Sequence, residues 1–150
     1  MEQYHREIIR LGKKAAMRGE VPVGAIVVGR DGVILGRGYN QTQQHRDGLR
    51  HAELIAIKQA QKRVGDWRLE GAKVYVTLEP CLMCLGAMLL ARVSEVHFGL
   101  TDSTFGSVST VLEGTTRTGA YKRLKVFWDS GLELEVAGMM KQFFKSLRQK

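Results

Sequence analysis

Four side chains in two short stretches of this 150-residue chain have the types and spacing for metal-assisted hydrolysis. His51-Ala52-Glu53 puts an imidazole and a carboxylate two residues apart. Pro80-Cys81-Leu82-Met83-Cys84 supplies two sulfurs at CxxC spacing, with Cys81 thirty residues after His51. One imidazole and two thiolates make three ligands for a tetrahedral zinc ion and leave a fourth position for water. Zinc lowers the pKa of that water towards neutrality, and a carboxylate within reach takes its proton and passes it on. His51, Cys81 and Cys84 are therefore the expected zinc ligands, one ion per chain, and Glu53 the expected proton shuttle. Cys81 and Cys84 are the only cysteines, which excludes a disulfide framework beyond that pair. In a reducing compartment a CxxC is metal-binding or redox-active. The His-x-Glu upstream favours metal, as does the lack of a lead-in strand near the N-terminus of the kind a thioredoxin-like pair has. His5, His45 and His97 lack such company and read as structural.

The elements that must position these groups follow from periodicity. Tyr4, Ile8, Leu11 and Ala15 recur at helical spacing within residues 3–18, with Arg6, Arg10, Lys13 and Lys14 between them, and Gly19 stops that helix. Val23 to Val28 is a continuous apolar run, the pattern of a strand covered on both faces. Gly29-Arg30-Asp31-Gly32 is turn chemistry, so Val33 to Tyr39 returns as the second arm of a hairpin ending at Asn40. Residues 41–50 read as a polar loop. His51 opens a helix over 51–63 whose inner face is Ala52, Ile55, Ala56, Gln59 and Ala60. Val74 to Leu78 reads as a strand rich in β-formers. Pro80 suits the first turn of a helix reaching Arg92, and Glu95 to Gly99 is a short strand. Two helix starts can thus lie side by side, and their unpaired N–H groups stabilise thiolates. A short helix over 106–112, a Gly- and Thr-rich loop over 113–121 and a fifth strand over 124–128 are expected beyond. Val136, Met139, Met140, Phe143, Phe144 and Leu147 form one stripe of a last helix. Strands alternating with helices after a hairpin indicate one α/β layered domain over 1–150 with a mixed sheet.

The net charge of +8 points to an anionic partner, most plainly nucleic acid. Lys141, Lys145, Arg148 and Lys150 fall in the last ten residues, and Arg117, Lys122, Arg123 and Lys125 form a second cluster. With Phe143 and Phe144, Lys145 and Arg148 form an expected wall of a substrate groove. No apolar run approaches the roughly 20 residues of a membrane helix, and no signal peptide is evident, so the cytoplasm is the expected address and no membrane is expected as a partner.

His-x-Glu with Pro-Cys-x-x-Cys is the signature of zinc-dependent nucleobase deaminases. At these residues the chain resembles the cytidine/deoxycytidylate deaminase superfamily, and within it the tRNA adenosine deaminases of the bacterial type. The resemblance covers about residues 4–148. It is carried by Val21-Pro22-Val23-Gly24-Ala25, by His51-Ala52-Glu53, and by Tyr75 to Cys84 continuing through Gly86-Ala87-Met88. It implies a three-layer α/β fold with a central five-stranded mixed sheet, zinc at two helix ends, and hydrolysis of adenosine to inosine at the wobble position of a tRNA anticodon. By position, Asn40 would hydrogen-bond the base and Asp102 would lie near the flipped nucleotide, with Ala52 among the substrate contacts. The implied partner is a tRNA anticodon loop, or single-stranded DNA for an engineered chain of this kind. Arg50 before the His, and Phe105-Gly106-Ser107-Val108, look more like the catalytic subunit of the eukaryotic heterodimeric enzyme. A homodimer is expected, and a heterodimer stays open. Cys84-Leu85-Gly86-Ala87 also resembles guanine deaminases, so a free-base deaminase (guanine or cytosine) is the rival reading, and a non-catalytic zinc subunit a third.

Overall fold

The structure is a computed structural model that describes residues 1–108 and 123–149. Five strands form one mixed sheet in the order β2-β1-β3-β4-β5. They are β1 (Gly24–Val28), β2 (Ile34–Tyr39), β3 (Lys73–Leu78), β4 (Glu95–Leu100) and β5 (Lys125–Trp128). β1 runs antiparallel to both β2 and β3, whereas β3, β4 and β5 are parallel. Parallel neighbours need a crossover, and between β3 and β4 it is α4 (Leu82–Leu90).

Alternation along β1 explains the layering. Ala25 and Val27 pack into the core formed with α3 (Ala52–Val64) and α4, whereas Ile26 and Val28 join α1 (Glu2–Met17) and α5 (Glu133–Arg148) on the other face. Val74 and Val76 of β3 repeat the first assignment and Tyr75 the second. With period-two side chains and both faces covered, the strand reads as an unbroken apolar run. The result is the three-layer α/β arrangement expected from the sequence.

Differences from the sequence reading have local causes. Residues 42–45 form a short helix, α2 (Thr42–His45), inside the stretch read as loop. It is anchored by Glu20, which is buried and whose carboxylate oxygens accept the N–H groups of Gln43 at 3.0 Å and Gln44 at 2.9 Å. That bond comes from a residue distant in sequence, so no local periodicity announces it. Pro80 lies ahead of α4 rather than in its first turn; Cys81 is the cap. On α3, Ile57 and Glu53 are buried and Gln59 is exposed, its Oε1 accepting the N–H of Arg37 at 2.7 Å. Met88 of α4 lies in the core, whereas Leu82 and Leu90 at the two ends of that helix are exposed. Beyond Val108, the helix expected over 106–112 lies outside the described residues, as do the 113–121 loop, Arg117, Lys122 and Lys150.

The packing that matters for the site is the seating of α3 on β2. Ala52, Ala56 and Ala60, all fully buried, meet glycines. A Cβ on Gly36 would stand 2.1 Å from the carbonyl oxygen of Ala56, and one on Gly38 would stand 2.2 Å from that of Ala52. Backbone meets backbone there, and nothing flexible can yield. Gly38→Ala is expected to cost roughly 1–3 kcal/mol through this overpacking. It should also lower zinc retained per chain, because it lifts the end of α3 that carries His51. Denaturant melts and metal analysis check both; unchanged stability and full zinc content would show that α3 tolerates the shift.

Candidate metal centre and catalytic cleft

His51 is the N-cap of α3 and Cys81 the N-cap of α4, with Cys84 one turn into α4. The ligand atoms of these three residues lie within 4.8 Å of one another. Cys81 Sγ and Cys84 Sγ stand 3.6 and 3.5 Å from His51 Nδ1. Zn–S bonds of about 2.3 Å and Zn–N bonds of about 2.0–2.1 Å at a tetrahedral angle would set sulfur and nitrogen about 3.5 Å apart. The residues present fit the ion in type, number and spacing.

The electrostatics agree. The hydrogen bond with Cys84 and then that with His51 hold the Cys81 thiol down to about 4, against its burial. The same contact with Cys81, together with burial, pushes the Cys84 thiol up. His51 is raised, chiefly by its hydrogen bond with Cys81. Cys81 is thus the thiolate of the pair, and a divalent cation at the site would let Cys84 carry its charge as well.

Glu53 lies one residue beyond the first helical residue, buried, and its Oε2 has no hydrogen-bond partner among the described residues. Burial raises its pKa, which favours the form that holds a proton. Such a group at the floor of a cleft, next to three metal-ligand atoms, is equipped to take and return protons.

The cleft has a volume of about 680 Å³. His51, Glu53 and Cys81 line it together with Asn40, Asp102 and Phe144. Asn40 Oδ1 accepts the N–H of Ala52 at 3.0 Å, which leaves the Nδ2 group as the donor Asn40 offers to a ligand. Ala52 itself is fully buried and its N–H is committed to that bond. Phe143 is buried and packs edge-on against Phe144, which alone of the pair reaches the cleft. Lys145 and Arg148 are exposed on α5 and do not line it. His97 is buried and stacked between Tyr75 and Phe127, at centroid distances of 4.5 and 4.6 Å. Arg50 fastens the segment ahead of His51: its Nη2 donates to Gln41 Oε1 at 2.7 Å and its carbonyl accepts the N–H of Gln41 at 3.1 Å.

Sequence reasoning passed over Glu79 as a structural group. It is buried, lines the cleft, and accepts the N–H groups of Asp102 at 3.3 Å and Val108 at 3.2 Å. One carboxylate thus ties down both ends of the segment carrying Asp102. The available signal was a charged residue wedged between a buried strand and the Pro-Cys pair.

A family profile described as MafB19-like deaminase matches residues 1–148. The tRNA-specific adenosine deaminase of Bacillus subtilis (strain 168) is 43% identical over 99% of this chain and 91% of its own length. That of Aquifex aeolicus (strain VF5) is 37% identical over 98% of this chain and 95% of its own. A structure from a study of A-to-I editing by tRNA:A34 deaminases at the wobble position superposes with a TM-score of 0.83 at 31% identity, covering 93% of this chain and 99% of that one. Built around a His, two Cys and a buried Glu at the start of two adjacent helices, the chain belongs to the MafB19-like deaminase family and groups there with the tRNA-specific adenosine deaminases.

Proposed function

We propose that this chain hydrolyses adenosine to inosine in RNA, at the wobble position of a tRNA anticodon, using one zinc ion. The observation that carries the chemistry is the buried Glu53 carboxylate, whose Oε2 has no hydrogen-bond partner among the described residues, beside the ligand atoms of His51, Cys81 and Cys84. The choice of substrate is supported by the relatives' names.

Zinc held by His51, Cys81 and Cys84 supplies the Lewis acidity that makes water a nucleophile near neutral pH. Glu53 accepts one proton of the attacking water and delivers it to N1 of adenine as C6 becomes tetrahedral. It then takes the remaining proton of the hydroxyl added at C6 and passes it to the exocyclic amino group, which leaves as ammonia as the C6 carbonyl forms. Its raised pKa keeps the proton on the carboxyl between these steps. Asn40 Nδ2 orients the base, and Asp102 and Phe144 contact the extruded nucleotide. A target inside a folded RNA must leave its stack, so an unpaired loop is the natural substrate. Lys145 and Arg148 sit on exposed turns of α5, the helix whose Phe144 lines the cleft, and so follow the phosphates of the flanking strand.

A homodimer is part of this reading. Leu90, 79% exposed at the end of α4 remote from the cysteines, supports a pairing surface there. Among the described residues no helix is long and apolar enough to cross a membrane, and a tRNA substrate fits a cytoplasmic enzyme.

Zinc-loaded protein assayed on an adenosine-bearing anticodon stem-loop should release ammonia and leave inosine. Deamination of free guanine or cytosine with none of the RNA would overturn the assignment. Glu53→Gln should lower kcat by roughly 10²–10⁴-fold while zinc content stays at one per chain, read by metal analysis. A chelator should abolish activity, and added zinc restore it. Replacing both Lys145 and Arg148 by Ala should weaken RNA binding. It should also flatten the slope of log K against log salt by about 1.4, the share of two phosphate contacts on a single strand; an unchanged slope would place the RNA elsewhere.

A further inference from the structure

Phe105 stands 71% exposed at the rim of the cleft. A large aromatic ring left in water is ordinary on a loose loop, but this loop is held. Asp102 Oδ1 accepts the N–H groups of Thr104 at 2.9 Å and Phe105 at 3.3 Å. The N–H of Gly106 bonds the carbonyl of Asp102 at 3.0 Å, and Gly106 pairs with Cys81 in an isolated bridge. Ser107 bonds the carbonyl of Pro80 through both its N–H at 3.1 Å and its hydroxyl at 2.9 Å. Glu79 secures the two ends of the segment. The ring is thus held out on a fixed ledge.

It also has two sides. Phe105 lines the catalytic cleft, and it lines a second pocket of about 320 Å³ over the start of α4. That pocket is completed by Cys81, Leu82, Met83, Thr104, Gly106 and Ser107. Its volume is at the small end of the range for ligand pockets, roughly 300–1,000 Å³, and suits one planar ring. Among the described residues its lining carries no basic side chain that would hold a phosphate, so its occupant is a neutral ring. Leu82, 63% exposed, provides the apolar base. Phe105 therefore stands between the catalytic cleft and this second pocket.

We propose that this pocket takes the unpaired base of a nucleotide next to the target, stacked on Phe105. The inference rests on an RNA strand being the substrate, as proposed above. It assigns to this chain a second base-binding position beside the catalytic one, sharing Cys81, Thr104 and Phe105 with it, and such a position would favour a single-stranded segment over a free base. Stacking on an aromatic ring is sequence-tolerant, since every base has a π-face, so the pocket recognises an unpaired neighbour rather than its identity.

The test uses the zinc-loaded chain and anticodon stem-loops that are intact or abasic at the nucleotide 5′ or 3′ of the target. On the intact loop, Phe105→Ala should lower kcat/KM by roughly 5- to 150-fold, the worth of one base–aromatic stack, chiefly through KM. Phe105→Trp should retain activity and Phe105→Leu should not. At one of the two abasic positions the wild type should lose a similar factor, and Phe105→Ala should then lose nothing more. Losses that multiply at both positions, or a Phe105→Ala enzyme as active as the wild type, would overturn the pocket while leaving the RNA assignment intact. A wild type inactive on every stem-loop would take down both. Sedimentation supplies a further check: a Phe105→Ala chain that changes oligomeric state would make the ring part of a contact between copies, and overturn the proposal.

Discussion

The close approach of α3 to β2 is the constraint on which the site depends. A zinc centre tolerates errors of a few tenths of an ångström between its ligands. Here His51 comes from one helix start and both cysteines from another, so the helices must be placed on the sheet with that accuracy. Backbone-to-backbone contact achieves it: Gly36 and Gly38 face the carbonyls of Ala56 and Ala52, where no side chain can rotate out of register. Cys84, Leu85 and Met88 are fully buried, which roots α4 in the same core. Each ligand thus sits at the first turn of a helix whose body is immobilised in the core.

The same arrangement governs protonation. Burial raises Glu53, and its unpartnered oxygen lies where the ligand atoms converge. A carboxylate on the surface would be ionised and solvated at neutral pH, too weak a base to be matched to the water it must serve. In the same cluster Cys81 is held as a thiolate by its hydrogen bonds to Cys84 and His51. Unequal surroundings thus give neighbouring titratable groups opposite shifts, Cys81 lowered and Glu53, Cys84 and His51 raised.

A second tier of buried carboxylates shapes the cleft without touching its chemistry. Glu20 anchors α2 beneath the segment leading to His51, and Glu79 anchors the segment after β4. Each accepts backbone N–H groups of a loop that has no hydrophobic core of its own. Charge-assisted bonds of this kind are the strong ones, and they make two loops behave as parts of the scaffold. The ledge bearing Phe105 inherits its rigidity from that anchoring.

Much of this was legible in residue order. Period-two and period-3.6 apolar patterns reveal the strands and helices because burial is decided residue by residue along an element. His51, Glu53, Cys81 and Cys84 announce a zinc hydrolase because few other chemistries need those types at those spacings. Residues 42–45 did not read as a helix, since their stabilising carboxylate lies more than twenty positions upstream at Glu20. Met88 and Leu90 are equally apolar, and only the docking of α4 puts one in the core and the other in water. Likewise Phe143 and Phe144 differ solely in which side of α5 faces the cleft. The sequence by itself therefore determined the chemistry, because ligand and base types are properties of single residues. Tertiary structure alone decided which faces line the cleft and what holds its loops, because those depend on contacts between residues far apart in the chain.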